Sequence, residues 1–143
     1  MTSNHRRTPC VGICSTTYGD LVCRGCKRFA HEIVQWNGYA GEQQRTIWSR
    51  LLQLRESVID RYLTLVNEAT LLMAKDKYAI EHDSWQLIAW DLLQLRGARL
   101  LPVDIGLELK NDEQTNDLPN TLDKEFYSAS LAYYERSFRT LAQ

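Results

Sequence analysis

Apolar side chains recur three and four positions apart through most of this chain, and that spacing predicts a mainly α-helical protein. A short helix is expected from about Cys23–Cys26 through Phe29, Ile33 and Trp36, ended by Asn37-Gly38. From Gly41 a long helix follows, on which Trp48, Leu51, Val58, Tyr62, Leu65, Ala69 and Leu72 form one stripe, with Arg55 its one charged member. Leu52, Ile59, Leu63, Val66 and Met73 widen that stripe to a broad buried face. No Gly or Pro falls between Glu42 and Ala74, so the pattern reads as one continuous helix, with at most a bend near Arg55-Glu56-Ser57. Asp83 or Ser84 is suited to cap a further helix ending at Gly97. Its residues Trp85, Leu87, Ile88, Trp90, Leu92, Leu93 and Leu95 are apolar nearly all round, which predicts the most buried element. Val103, Ile105, Leu107 and Leu109 alternate with polar or small residues, as in a strand, but no partner strand is evident. After the polar loop 110–120, a last helix is expected from Asn120 or Thr121, carrying Tyr127, Leu131, Tyr134, Phe138 and Leu141 on one face.

One region escapes this periodicity. Residues 10–26 hold all four cysteines of the chain, interleaved with Gly12, Gly19 and Gly25. The spacing is Cys-x3-Cys, eight residues, then Cys-x2-Cys: Cys10, Cys14, Cys23 and Cys26. Two close pairs on a turn-rich loop suit a tetrahedral metal, each pair supplying two thiolates. Gly25 is expected to let the backbone fold so that its N–H groups point at sulfur, and a helix beginning there adds its positive N-terminal end. Two disulfides would need an oxidising compartment. A catalytic Cys-x-x-Cys would use one pair and leave the other unexplained. On spacing alone Zn2+ is the expected ion, with an iron–sulfur cluster as the alternative, because both accept four thiolates. The ferredoxin cysteine runs are absent. The architecture expected is thus an N-terminal four-cysteine metal knuckle followed by a helical domain of three to five helices, behind a flexible tail at residues 1–9.

The stretch Pro9-Cys10-Val11-Gly12-Ile13-Cys14-Ser15-Thr16, then Gly19-Asp20, Val22-Cys23-Arg24-Gly25-Cys26-Lys27-Arg28-Phe29, Glu32-Ile33 and Trp36, resembles DUF1289, a bacterial family whose members are often labelled predicted iron–sulfur proteins. The resemblance covers about residues 8–55 and includes every cysteine of the family pattern. It implies a module at 10–55 with a cluster at Cys10, Cys14, Cys23 and Cys26, and leaves 56–143 as a helical extension without an assigned role.

Charge adds a second theme. Residues 1–55 carry eight Lys and Arg against three Asp and Glu, +5, whereas residues 56–143 carry nine against fifteen, −6. Arg6, Arg7, Arg24, Lys27 and Arg28 near Tyr18 and Phe29 are the candidates for contact with an anion or a partner. Zinc knuckles grip single-stranded RNA with such elements, while the plainer reading is compensation of the thiolates or of the acidic half. A protein partner is expected ahead of RNA. His31, five residues after Cys26, is a candidate extra ligand or hydrogen-bond donor to one, but with four cysteines at hand it and His5 are expected to be bystanders; His82 with Asp83 forms a candidate acid–base pair or simple cap chemistry. Arg55 either pairs with a buried carboxylate such as Asp91 or marks where its helix leaves the core. The four tryptophans sit at helical core spacing. No phosphate loop, serine-nucleophile motif, His-Glu-x-x-His or dinucleotide fingerprint is present, so a non-enzymatic role is expected. Without a secretory h-region or a stretch of ~20 apolar residues, the chain reads as cytoplasmic with no membrane partner.

Overall fold

The computed structural model of the chain describes residues 8–12, 14–111 and 117–139. Five α-helices occur among the described residues: α1 (Ala30–Gln35), α2 (Gly41–Tyr62), α3 (Glu68–Lys77), α4 (Trp85–Leu93) and α5 (Leu118–Tyr134). Two three-residue strands, β1 (Leu63–Leu65) and β2 (Leu107–Leu109), complete a mainly α protein. Residues 1–7 of the tail expected at 1–9, with His5, Arg6 and Arg7, lie outside the described residues. So does Leu141 of the stripe expected on the last helix. The chain divides into two compact units, with boundaries within α2 at Arg55 and within α5 at Asp123.

The cysteine unit comprises residues 8–54 and 124–139. It starts with a 3-10 turn, Ser15–Tyr18, closed by Gly19 in the left-handed region at φ 101°. Residues 22–29 then form a tight hairpin, with Val22 and Phe29 bridged antiparallel and the Cys23 N–H bonded to the Arg28 carbonyl at 2.9 Å. This corrects the helix expected from Cys23–Cys26. The hairpin consumes those backbone groups, and α1 starts at Ala30, where the Glu32 carboxylate accepts the Phe29 N–H at 2.8 Å in the manner of an N-terminal cap. The left-handed residue of the hairpin is Lys27, φ 68°, and not Gly25. Val22, Phe29, Trp36, Ile47, Leu51 and Phe126 are buried here.

The second unit comprises residues 55–123, and here the long helix departs from expectation. It stops at Tyr62, because Leu63–Leu65 pairs antiparallel with Leu107–Leu109 in the register Leu63↔Leu109, Thr64↔Glu108, Leu65↔Leu107. Ladder bonds replace helical ones, and the partner missing from the sequence pattern is this segment. Val66 and Asn67 both donate N–H to the Gly106 carbonyl. The Asn67 side chain then caps α3 by accepting from Thr70 N–H at 3.1 Å. Pro102–Ile105 is a 3-10 turn, so only the last part of the alternating segment is strand.

Ser84 caps α4 as expected, accepting from Leu87 N–H at 3.2 Å. The helix ends four residues before Gly97, at Leu93, and the Gln94 side chain donates to the Pro119 carbonyl at 3.0 Å. Leu87, Ile88, Ala89, Trp90, Leu92 and Leu93 are all buried, which makes α4 the centre of this unit, packed on α3. α5 begins at Leu118 because Pro119, with no N–H to satisfy, is tolerated in a first turn. Its fully buried positions are Leu118, Leu122, Phe126 and Ser130, one place round from the stripe expected at Tyr127, Leu131 and Tyr134. Asp91 pairs with His82, 3.3 Å away, rather than with Arg55, whose guanidinium lies over the Trp90 ring at 5.9 Å. Asp83, the expected partner of His82, is exposed and 3.8 Å from Lys75.

Candidate metal centre

The four cysteines occupy two different settings. Cys23 and Cys26 are buried in the hairpin, Cys14 is half-buried and Cys10 is exposed; none is in a disulfide. Cys10 Sγ accepts the Gly12 N–H at 3.4 Å, and Cys14 Sγ meets Thr16 Oγ1, so each cysteine of the first pair has a partner two residues away.

The second pair is more fully built. Burial raises the Cys23 thiol pKa, but the N–H groups of Cys26, Ser15 and Gly25 and the neighbouring Cys26 thiol outweigh it, bringing the value from 9.0 down to about 7. Ser15 follows Cys14 directly, and its hydroxyl also accepts the Arg24 N–H at 2.8 Å. The turn after the first cysteine pair is therefore docked on the hairpin that carries the second. Cys26 behaves oppositely: burial pushes its thiol up, and Arg28, whose Nε donates to Cys26 Sγ at 3.3 Å, offsets this only in part.

The cations around these sulfurs face inward. Lys27 is 2% and Arg28 3% exposed. Lys27 Nζ donates to the Gly25 carbonyl at 3.0 Å and lies 5.3 Å from the Phe126 ring; Arg28 stacks over Trp36. Of the basic set expected to contact a partner, only Arg24 among the described residues reaches solvent, and it is held by Asp20 at 3.3 Å and by the Tyr127 ring. Burying a cation costs heavily unless it is paired; Arg28 donates to Cys26 Sγ and Lys27 to the Gly25 carbonyl.

Four cysteines are donors of the kind a four-thiolate metal takes, and of these Cys23 and Cys26 hydrogen-bond to each other within one hairpin. The closure by Cys10 and Cys14 expected from the spacing is not assembled: among the described residues no three His, Cys, Asp or Glu side chains are gathered as metal ligands. His31 is exposed and its ring packs on Phe29 and Phe138, 5.8 and 5.1 Å between centroids.

One pairing in this unit was not foreseen from the sequence. Arg50 makes a two-pronged ion pair with Glu32, at 2.5 and 2.7 Å, and its guanidinium covers the Phe29 ring at 4.1 Å. The signal was there: Glu32 stands three residues after Phe29, at capping spacing, and Arg50 adjoins the apolar Ile47-Trp48 and Leu51-Leu52 positions. The pair fixes α1 and α2 against the end of the hairpin.

No helix among the described residues is long and apolar enough to cross a membrane. No curated protein and no solved structure matches the chain. Residues 8–55, which carry all four cysteines together with Glu32 and Arg50, match the model of DUF1289, a family described as protein of unknown function.

Proposed function

We propose that this protein is a small non-enzymatic interaction protein whose head is organised by one metal ion held by Cys10, Cys14, Cys23 and Cys26, zinc in the first place. The observation that carries this is the hairpin itself, where three N–H groups converge on the Cys23 sulfur and the Arg28 guanidinium donates to that of Cys26. Such donors stabilise the thiolate over the thiol. Four thiolates with a divalent ion sum to −2, and the buried Lys27 and Arg28 are suited to offset that charge. Cys10 and Cys14 would close on the prebuilt pair when the ion binds, since Ser15 already lies against Cys23. A closed four-thiolate zinc site has no open position and acts structurally, without hydrolytic chemistry.

The same buried cations give a second reading its support. Positive charge and N–H···S bonds favour an added electron on an iron–sulfur cluster, which would make the protein an electron carrier or oxidant sensor. Metal analysis of protein purified without oxygen separates the two. One zinc per chain in a colourless protein, lost on Cys23→Ser, supports the structural ion. A brown protein with equivalent iron and sulfide replaces it by the cluster. A folded chain binding neither would end both readings.

A further inference from the structure

The unit formed by residues 55–123 concentrates its exposed apolar side chains. Single exposed hydrophobics scattered over a surface are ordinary. Here the large ones among the described residues are Val66, Leu72, Met73, Leu101 and Val103, all on α3 or on the two segments flanking it. Met73 is 73% and Val103 74% exposed.

Their gathering follows from the backbone. Side chains alternate along β1, so Leu63 faces the core while Thr64 and the following Val66 face out, beside the outward Glu108 of β2. The Gly106 carbonyl takes both the Val66 and Asn67 N–H groups, at 2.9 and 3.0 Å. A Cβ on Gly106 would lie 3.2 Å from that of Thr70, so the turn carrying Leu101 and Val103 is held against the start of α3. Met73 follows Thr70 by three positions and shares its side of the helix.

Carboxylates border this surface. Glu68, Asp104 and Glu108 are exposed beside Val66 and Val103, and Asp76 lies further along α3. The exposed cations closest to it in the chain are Arg61 before β1, Lys77 at the far end of α3, Arg99 before Leu101 and Lys110 after β2, whose ammonium donates to the Asp60 carbonyl; Lys75 lies 3.8 Å from Asp83. The unit as a whole holds seven Lys and Arg against thirteen Asp and Glu, −6.

We infer that this surface, made by Val66, Met73, Leu101 and Val103 within a carboxylate rim, docks a basic amphipathic helix of a protein partner. Such a segment lays apolar side chains on the patch and sets Lys or Arg against Glu68, Asp104 and Glu108. A second copy of the same face would oppose like charges across the contact. The inference goes beyond the metal centre and moves the partner contact away from the basic set around the cysteines.

The test titrates the full-length, metal-loaded protein with a synthetic helical peptide of leucine and lysine, and with its leucine–glutamate counterpart of identical apolar pattern. Fluorescence anisotropy reads affinity, and amide chemical shifts read location. The lysine peptide should bind and move the amides of residues 66–73 and 101–108. Affinity should fall at least tenfold in Met73→Ser/Val103→Ser, which alters no charge, and severalfold in Glu68→Gln/Glu108→Gln. The glutamate peptide should bind at least tenfold more weakly. Equal binding of both peptides, shifts outside this surface, or indifference to Met73→Ser/Val103→Ser would each overturn the inference. So would dimerisation abolished by that variant, since a second copy would then be the occupant. Because metal content is measured separately, its loss would count against the four-cysteine reading and leave this one standing.

Discussion

Cys23 and Cys26 are pushed in opposite directions within one hairpin, and the stability of the metal-free protein should carry that signature. The Cys23 pKa is depressed on folding to about 7, so its contribution is present above its unfolded value of 9.0 and is lost as pH falls through about 7. That of Cys26 is raised, so its contribution is present below 9.0 and is lost as pH climbs through its higher folded value. In metal-free protein, thiolate absorbance should therefore show one thiol titrating near pH 7 and another above 9. The unfolding free energy contributed by Cys23 should rise between pH 7 and 9, a rise absent from Cys23→Ser. A wild-type and variant difference that is flat over this window would refute the account. Once metal is bound, Arg28→Met should weaken its retention roughly tenfold, the usual size of an effect from a group bonded to a ligand. Competition with a chromogenic chelator reads this directly. Arg50→Met should cost about 3 kcal/mol in denaturant unfolding, because it leaves the buried Glu32 carboxylate without its charge partner.

At the scale of elements, the helical periodicity was a sound guide to existence and a poor one to interruption. The Ser84 cap and the all-round apolar character of α4 were both legible, since each rests on local chemistry. The break after Tyr62 was not, because Leu63 to Met73 continues a 3–4 spacing and only a partner forty-four residues on turns Leu63–Leu65 into a strand. Two local clues were available there: the alternation of Thr64 and Val66 with leucines, and Asn67 placed to cap Glu68 onward. The geometry of the break is sharp enough to test. Gly106 sits at φ 80°, and a Cβ there would come within 2.2 Å of the Asn67 carbonyl oxygen. Gly106→Ala should accordingly destabilise the protein by about 2–3 kcal/mol, combining left-handed strain with a backbone clash. An unchanged thermal midpoint would mean that this turn does not hold β1, β2 and the start of α3 together.

For the whole molecule, the cysteine spacing singled out residues 10–26 from sequence alone, yet it gave no hint that the unit holding them draws on residues 124–139. The segment matching the family model ends at residue 55, whereas its hairpin packs on residues beyond 125. Phe29 lies 5.2 Å from the Tyr134 ring and 5.6 Å from Phe138, Arg24 stacks over Tyr127, and Lys27 lies over the buried Phe126. Contacts of such sequence separation leave no trace in local periodicity, which explains why the stripe expected on the last helix was set one position away from its buried face. A chain truncated after Asp123 keeps every cysteine, Glu32 and Arg50, but exposes Phe29 and removes the ring beneath the Lys27 ammonium. It should bind metal at least tenfold more weakly and lose amide dispersion across residues 8–54, while the 55–123 unit, whose core of Ile59, Leu71, Ile88, Leu92 and Ile105 is intact, stays folded. Full metal affinity in the truncated chain would show instead that the four-cysteine segment needs nothing from the C-terminal helix, and that the aromatic contacts there serve some other end.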